Sequence, residues 1–427
     1  MAYSFFASVL PVWLLLAPRD YLSAFVKIGV VLALALGIVI VLPPLQMPAL
    51  TQFTDGTGPV FAGKVFPFAF ITIACGAISG FHSLIASGTT PKLLTNEVDA
   101  RPVGYGAMLT ESLVAVMALI AACVLTPGVY FAINAPASAI GTTAASAAAA
   151  VQHWGFTLDP TQMQILAQDV GEKSLLSRTG GAPSLAVGMA HIFSRALGGP
   201  TAMALWYHFA IMFEALFILT TVDAGTRVGR FMLQDLLKHV WAPIGRVSWY
   251  PAVVMASGIV VSLWGYFLYQ GVMDPLGGIN SLWPLFGISN QLLAAVALCV
   301  GTTIIIKMGK ARYAWVTILP LIWLAIVTLT AGAEKIFSAD PKLGFLSHAR
   351  MLGDQLTTGA LPNGVQTLAE AKRLILNDHI DAAVAAFFLI SVVVILVASM
   401  HEWFTILSGR KIARSTEIPF GEATKAA

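Results

Sequence analysis

Small and polar side chains cluster in one otherwise apolar stretch of the sequence. Ser79, Gly80, His82, Ser83 and Ser87 all lie there. Glycine lowers the cost of unwinding a helix, and the backbone groups that unwinding frees are those that transporters use to hold an anion or a cation. The pattern therefore predicts a broken helix with a substrate site at these residues. The same glycines and serines, at helical spacing, also suit close packing against a neighbouring helix, and His82 would then be a hydrogen-bonded packing residue.

A second group of candidate residues lies in a later apolar run. Glu214 is near the middle of that run, where an ionisable residue is costly and raises a functional hypothesis. Tyr207 and Thr221 share its helical face. We expect either a proton or cation relay at Glu214 or a fixed hydrogen-bonded pair with another residue. Thr220 and Thr221 offer oxygens of the kind that hard cations bind, so they are candidate ligands of a coupling ion.

Two further polar residues fall inside predicted helices. Glu111 either reaches inward or pairs with Arg101 near the cytoplasmic surface. Asn290 belongs to a polar patch in an apolar helix, where an amide side chain serves either as an interhelical hydrogen-bonding group or as a substrate ligand. We assign Asn290 to the substrate site and Glu111 to the coupling-ion site.

No catalytic motif accompanies these residues. The sequence has no Walker A nucleotide loop, no HExxH zinc motif, no GxSxG nucleophile elbow and no redox CxxC pair. Cys75, Cys123 and Cys299 lie inside apolar runs, where they are expected to be buried hydrophobic residues rather than ligands or bridges. We therefore expect a protein that is not an enzyme and has no cofactor or metal, apart from a bound proton or sodium ion.

The composition excludes most classes of protein. Hydrophobic residues make up 57% of the 427 residues and charged residues only 11%, whereas soluble domains have roughly 25% charged residues. A soluble globule, a disordered chain and a secreted disulfide-rich scaffold are thereby excluded. The net charge of +3 is too small to indicate a nucleic-acid partner. The chain is expected to be a multi-pass protein whose surroundings are a lipid bilayer.

About nine membrane spans are predicted, because a hydrocarbon core of about 30 Å needs roughly 20 apolar residues per helix. The first of these predicted spans is short. They are Tyr3–Ala17, Phe25–Leu42, Phe66–Ser87, Tyr105–Leu125, Thr201–Val222, Trp249–Gln270, Pro284–Ile306, Tyr313–Gly332 and Ile380–Met400.

Lysine and arginine favour one set of alternate loops, which identifies the cytoplasmic side. Arg19 and Lys27 are assigned to the first cytoplasmic loop, and the C-terminus lies on the same side. The run from Asp223 to Arg230 is interpreted as a cytoplasmic loop that docks charged pairs. Leu185–Leu197 is expected to be a helix, either a re-entrant or surface-lying gate or an ordinary external helix. The chain is thus divided into spans one to four (1–125), an extracytoplasmic gate-loop region (126–200), spans five to eight (201–332), an extracytoplasmic loop (333–379), and the last span with a cytoplasmic tail (380–427).

Several sequence blocks together resemble one known family. Their order and spacing match over most of the chain, from about residue 3 to residue 400. On these blocks the chain resembles the carbon starvation protein A family. The resemblance implies a transporter of the bacterial inner membrane, induced on nutrient limitation, that imports peptides or, in some members, pyruvate with protons. The blocks are Ala7–Tyr21, Ser79–Ser83 with Ser87–Thr90, Asp99–Arg101 with Val103–Gly106, Thr220–Arg227 and Leu282–Gln291.

The resemblance also implies a fold, because the family is grouped with the LeuT/APC-like transporters. Members of the family carry further spans before the Ala7 block, so the first helices of the fold are expected to be missing here. A separate chain that supplies them, a truncated gene model and a degenerate gene are all open explanations. In the LeuT-type scheme the third predicted span is the broken sixth helix. The fifth is the eighth helix, which implies a cation site at Thr220 and Thr221.

Residues and resemblance together predict an all-α transmembrane bundle that acts as a secondary transporter. It would import a small carboxylate or peptide, such as pyruvate or short peptides, with proton or cation coupling during carbon starvation. In the expected mechanism, unwound backbone at Ser79–Ser83 holds the carboxylate and Glu214 exchanges the coupling proton. Two alternatives stay open: a nutrient sensor that binds without transporting, and one subunit of a split transporter. The expected partners are the bilayer and a small-molecule substrate.

Overall fold

Sixteen α-helices make up the part of the chain that the computed structural model describes, namely residues 1–273, 279–359, 361, 365 and 367–413. No β-strand occurs in these residues, so the all-helical prediction is confirmed for them. The predicted cytoplasmic tail from residue 414 onwards lies outside the described residues. The helices are α1 (Ala2–Val9), α2 (Leu16–Val41), α3 (Val65–Ile73), α4 (Gly80–Gly88), α5 (Ala100–Cys123), α6 (Pro127–Asn134), α7 (Ala137–Ile140), α8 (Ala144–His153), α9 (Pro160–Asp169), α10 (Ala182–Ala196), α11 (Met203–Leu237), α12 (Tyr250–Met273), α13 (Ile279–Lys307), α14 (Trp315–Phe337), α15 (Phe345–Thr357) and α16 (Leu368–Leu407).

Eight segments of the described chain are long and apolar enough to cross a membrane. They correspond to the second to ninth predicted spans, and they make the chain a multi-pass membrane protein. The segments are Leu16–Val41, Val65–Gly88, Glu97–Cys123, Pro200–Leu237, Tyr250–Met273, Trp283–Lys307, Trp315–Phe337 and Leu368–Leu407.

The structure differs from the sequence prediction at the first predicted span. The apolar run Tyr3–Ala17 is not one spanning helix, because α1 ends at Val9 and α2 begins at Leu16. Pro11 gives the physical reason: proline has no N–H to donate and disfavours helical backbone at the residue before it. Leu10 is accordingly extended, with φ −71° and ψ 152°. Apolar character alone therefore predicted one span more than the described residues form.

The chain divides into two compact units. Unit 1 comprises Met1–Ala62, Leu84–Leu282 and Leu361–Glu370, and unit 2 comprises Gly63–Ser83, Trp283–Ala360 and Ala371–Ala427. The division cuts α4 between Ser83 and Leu84, so the residues of this helix belong to both units.

The core of unit 1 forms around α10. This helix packs against α2, α5 and α11, and most of its side chains are buried. Gly188 lies so close to α5 that a Cβ atom there would overlap the main chain of Ala121. The helix predicted for Leu185–Leu197 is thus a central packing element of its unit, and a surface-lying position is wrong for it.

The helix α11 is longer than the span predicted for it. The prediction ended the span at Val222, but α11 runs to Leu237 without interruption. The run from Asp223 to Arg230 is therefore helical, and its interpretation as a loop is wrong. Charged residues suggested a loop because they are usually solvated, whereas here Asp223 is 1% exposed and Arg230 is 5% exposed. Asp223 pairs with Arg19 of α2.

Two arginines of α11 hold the end of α1. Arg227 donates hydrogen bonds to the carbonyl oxygens of Ala7, at 2.5 Å, and Leu10, at 3.0 Å. Arg230 donates to the carbonyl oxygen of Ser8 at 2.5 Å. The last carbonyls of a helix have no intrahelical partner and carry partial negative charge. The two guanidinium groups satisfy these carbonyls, which explains how a short helix ending before a proline stays ordered.

In unit 2, α3 packs against α14. The rings of Phe70 and Trp323 meet with centroids 6.0 Å apart. Elsewhere in the unit, the indole N–H of Trp403 on α16 donates to Thr303 Oγ1 on α13 at 2.7 Å. These contacts fix α3 and α13, the two helices that position the first group of candidate residues.

Candidate functional site

The membrane-length segment Val65–Gly88 is broken in its middle. The helix α3 ends at Ile73, one 3-10 turn covers Ala74–Gly76, and α-helix begins again at Gly80. Ala74 has φ +51°, which is uncommon for a residue that carries a Cβ atom. Strained backbone of this kind clusters at functional sites, where the surroundings hold it in place. The break also leaves backbone N–H and C=O groups without helical partners.

Asn290 and Gln291 of α13 bind the backbone on both sides of this break. Asn290 Oδ1 accepts a hydrogen bond from the N–H of Phe81 at 3.0 Å, and its Nδ2 donates to the carbonyl of Ile78 at 3.3 Å. Gln291 Nε2 donates to the carbonyls of Ala74, at 2.6 Å, and Ile78, at 3.1 Å. Both side chains are buried. Because these amides satisfy the freed backbone groups, the broken helix is tolerable within an apolar segment.

Ser79 caps the N-terminus of α4. Its Oγ accepts a hydrogen bond from the N–H of His82 at 3.0 Å and lies 2.5 Å from Nδ1 of the same residue. Ser83 Oγ donates to the carbonyl of Gly80 at 2.6 Å. The imidazole of His82 is exposed. The structure thus brings Ser79, Gly80, His82 and Ser83 together at the positive end of a helix dipole.

Gly80 also supports the interpretation that these glycines allow close packing against a neighbouring helix. A Cβ atom at this position would overlap the main chain of Asn290 and Ala294 on α13. Gly287 of α13 lies equally close to the carbonyl of Ile71. Close helix packing and the helix break therefore occur at the same place, and neither excludes the other.

Ser87 stands apart from this cluster. It lies near the last residue of α4, is exposed, and donates from Oγ to the carbonyl of Leu84 at 3.2 Å. By the division of the chain Ser87 belongs to unit 1, whereas Ser79 and Asn290 belong to unit 2.

Glu214 lies in α11 and is half-buried. Among the described residues no hydrogen bond or ion pair reaches its carboxylate. The fixed hydrogen-bonded pair, one of the two interpretations of this residue, has no partner in that part of the chain. An ionisable group held in a membrane span without a partner is a candidate for proton exchange.

Thr220, six residues after Glu214 in α11, accepts a hydrogen bond from a lysine. Lys27 Nζ donates to Thr220 Oγ1 at 3.2 Å and lies 4.9 Å from the centroid of the Phe217 ring. Thr221, the second predicted cation ligand, is exposed. The two threonines therefore do not converge on one point.

Glu111 is exposed on α5, as is Arg101 on the same helix. Like Glu214, Thr220 and Thr221, Glu111 belongs to unit 1.

Lys27 was counted with the first cytoplasmic loop from the sequence, although it lies just inside the predicted span Phe25–Leu42, and the structure places it inside α2. The helix begins at Leu16, so Lys27 lies about 16 Å along an axis of about 39 Å, at the α-helical rise of about 1.5 Å per residue. The signal was present in the sequence: the apolar run continues on both sides of Lys27, and Pro18 suits the first turn of a helix.

Comparison with protein families gives one match of high coverage. The family model described as carbon starvation protein CstA matches residues 1–331.

Individual relatives agree with this match. A peptide transporter CstA of Escherichia coli is 56% identical over 405 residues, which cover 94% of this chain and 58% of the relative. A peptide transporter CstA of Campylobacter jejuni is 60% identical over 337 residues, covering 79% of this chain and 48% of the relative. A pyruvate/proton symporter BtsT of Escherichia coli is 50% identical over 435 residues, covering 96% and 60%. The chain thus spans about half to three fifths of the length of these relatives. No solved structure matches the chain.

Proposed function

The chain belongs to the carbon starvation protein CstA family, and we propose that it imports a small carboxylate or peptide, pyruvate or a short peptide, by secondary active transport. Relatives named as peptide transporters and as a pyruvate/proton symporter support this choice of substrates. The observation that carries the proposal is the break between α3 and α4, with serine, glycine and histidine side by side where α4 begins.

The N-terminus of α4 is the proposed position of the substrate carboxylate. The first N–H groups of a helix and its dipole both favour an anion. Ser79 and Ser83 add hydroxyl groups, and His82 adds an exposed imidazole. Asn290 acts indirectly, because it holds the backbone on both sides of the break. Ser87, about 11 Å further along at the α-helical rise, would contact the substrate on its path.

Glu214 is the proposed proton-exchanging group. Its half-buried carboxylate, unpaired among the described residues, supports this role. Thr220, Thr221 and Glu111 are assigned to the same coupling function.

Alternating access in a LeuT-like arrangement would link these groups. In this scheme α3 and α4 form the broken sixth helix and α11 is the eighth. The protein would act in the bacterial inner membrane during carbon starvation, with its C-terminus in the cytoplasm.

Transport by the reconstituted protein tests the proposal. Liposomes that contain the protein should accumulate labelled pyruvate or dialanine when a proton gradient is directed inward. Ser79→Ala removes the cap of α4 and should lower uptake. Ser112→Ala is the matched control, because Ser112 is exposed on α5 and its hydroxyl donates to the carbonyl of Met108 in its own helix. Substrate binding without accumulation would instead support a sensor, and the absence of both would contradict the proposal.

A further inference from the structure

Lys27 places a positive charge inside a membrane-length apolar helix. Its side chain is half-buried, and α2 continues for more than three turns beyond it. Among the described residues no carboxylate lies within ion-pair distance of Nζ. Charged residues are rare in membrane spans and are kept there for a function or by a pairing partner. Lys27 has no acidic partner in the described chain, so a functional role is indicated for its charge.

Two uncharged groups of α11 hold the ammonium. Nζ donates to Thr220 Oγ1 at 3.2 Å and lies 4.9 Å from the centroid of the Phe217 ring. Thr220 Oγ1 directs its own proton to the carbonyls of Leu216 or Phe217, at 3.2 and 2.8 Å, so a lone pair is left for Lys27. A hydroxyl and an aromatic face stabilise an ammonium without neutralising it. The charge is therefore held in place and not cancelled.

The charged groups around Lys27 are mostly occupied with each other. Arg19 and Asp20, two turns earlier on α2, pair at 2.6 Å, and Arg19 also pairs with Asp223 of α11. Glu214, about 9 Å along α11 from Thr220 at the α-helical rise, is the acid without such a partner in the described chain. Lys27 has no ion-pair partner among these carboxylates in the described chain, so the contacts that hold its charge are those with Thr220 and Phe217.

The ammonium takes one of the two acceptor lone pairs of Thr220 Oγ1, the oxygen that was predicted to bind a coupling cation. A hard cation takes several oxygen ligands, and the second hydroxyl predicted for this role, on Thr221, is exposed. A like charge at hydrogen-bond distance from the same oxygen also repels an arriving cation strongly outside bulk water. Thr220 therefore serves the chain's own cation, whose charge depends on one proton.

We propose that Lys27 is a second coupling residue of transport, in addition to Glu214, and that it excludes sodium from the site at Thr220. This inference rests on the proposed import function and deepens it by assigning proton exchange to a second residue and by excluding sodium as the driving ion. The protonated amine binds α2 to α11 through Thr220. Release breaks one N–H bond, leaves the electron pair on nitrogen and passes the proton to water on the inner side. The neutral amine then holds Thr220 less strongly, and reprotonation from the outer side restores the contact.

Two substitutions separate charge from titration. Lys27→Met keeps the length of the side chain and removes the charge, whereas Lys27→Arg keeps a charge that is not released. In liposomes with an inward proton gradient, both should lose accumulation of labelled pyruvate or dialanine to the level of protein-free liposomes while they retain exchange of labelled for unlabelled substrate. The matched control is Lys238→Met, because Lys238 is exposed just after α11 and pairs with Asp235. Wild-type uptake should be equal in sodium chloride and choline chloride.

The outcomes distinguish this inference from the proposed function. Gradient-driven accumulation at the wild-type level in Lys27→Met or Lys27→Arg would overturn the inference, and so would a sodium requirement in the wild type. If the wild type shows neither uptake nor exchange, the proposed function fails. Thermal unfolding in detergent then still tests whether sodium binds at Thr220. Equal unfolding temperatures in sodium and choline chloride support exclusion. A rise in sodium that disappears in Thr220→Val overturns it.

Discussion

The side chain of Asn290 accepts a hydrogen bond from the N–H of Phe81 at 3.0 Å and so caps the helix that restarts after the break. The same carboxamide donates to the carbonyl of Ile78 at 3.3 Å, on the other side of the break. One buried group thus serves an acceptor and a donor of the main chain that would otherwise be unpaired. Breaking a helix inside an apolar segment depends on such a partner, because no water is available there.

Replacement of Asn290 should destabilise the protein and impair transport. Asn290→Leu removes both the donor and the acceptor, and each buried backbone group left unpaired costs about 1 to 3 kcal/mol. Thermal unfolding in detergent should therefore occur at a lower temperature than in the wild type. Ser289→Ala is the control, because the neighbouring hydroxyl is only half-buried and bonds within its own helix to the carbonyl of Phe286. Equal unfolding temperatures for Asn290→Leu and Ser289→Ala would show that Asn290 does not support the break.

Gly80→Ala should destabilise unit 2, although alanine favours a helix more than glycine does. The added methyl group would overlap the main chain of Asn290 and Ala294, and overpacking of this kind costs about 1 to 3 kcal/mol. Gly104→Ala should stabilise the protein. Nothing lies within 4 Å of the new Cβ atom, and alanine stabilises a helix relative to glycine by roughly 0.5 to 1 kcal/mol. The two variants should shift the unfolding temperature in opposite directions. A stabilised Gly80→Ala variant would mean that α4 and α13 are less closely packed than the structure has them.

The long helices follow from local sequence, because an apolar run of sufficient length predicts a membrane span in any context. Their ends were less predictable. Pro11 ends α1, yet the apolar run continues past it and was counted as a span. Asp223 to Arg230 was predicted as a loop because its charges suggested solvent. Those charges are buried against α1 and α2, which lie more than 200 residues earlier in the chain. Local composition cannot predict contacts over such a sequence distance.

The candidate site, too, could be predicted from the sequence only in part. The cluster of Ser79, Gly80, His82 and Ser83 is contiguous in sequence, so its proximity followed from spacing alone. Asn290 and Gln291, which bind the backbone at the break, lie about 210 residues further along the chain. Their contacts with the break could therefore not be predicted from local sequence. Lys27 was not predicted as a functional residue, because a lysine at the edge of an apolar run usually belongs to the loop that flanks the span.

His191 on α10, which is not one of the membrane-length segments, should make stability depend on pH. Burial, assisted by Arg195, lowers the pKa of its imidazole below the ordinary value, while Asp169 acts in the opposite sense. The folded state therefore binds this proton less readily than the unfolded state does. The stabilising contribution is complete above the unfolded pKa of about 6.5 and is lost as the pH falls through and below it.

Thermal unfolding in detergent checks this expectation. The unfolding temperature should fall between about pH 7.5 and about pH 5, on either side of the ordinary histidine pKa, and His191→Gln should reduce that fall. His153→Gln, at an exposed position in α8, should leave it unchanged. Equal acid sensitivity in the wild type and His191→Gln would assign the pH dependence to other groups.

Glu214→Gln should abolish the response of transport to a proton gradient. Glutamine keeps the shape and the polarity of the side chain but cannot release a proton, so substrate exchange should persist while gradient-driven accumulation stops. The measurement is uptake of labelled pyruvate or dialanine into liposomes at several values of the inward gradient. Glu172→Gln provides the control, because the Glu172 carboxylate pairs with Arg178 at 3.0 Å outside the membrane-length helices and has no part in the proposed exchange. Uptake that keeps its full dependence on the gradient in Glu214→Gln would show that this carboxylate is not the proton-exchanging group, and the half-buried position of Glu214 in α11 would then need another explanation.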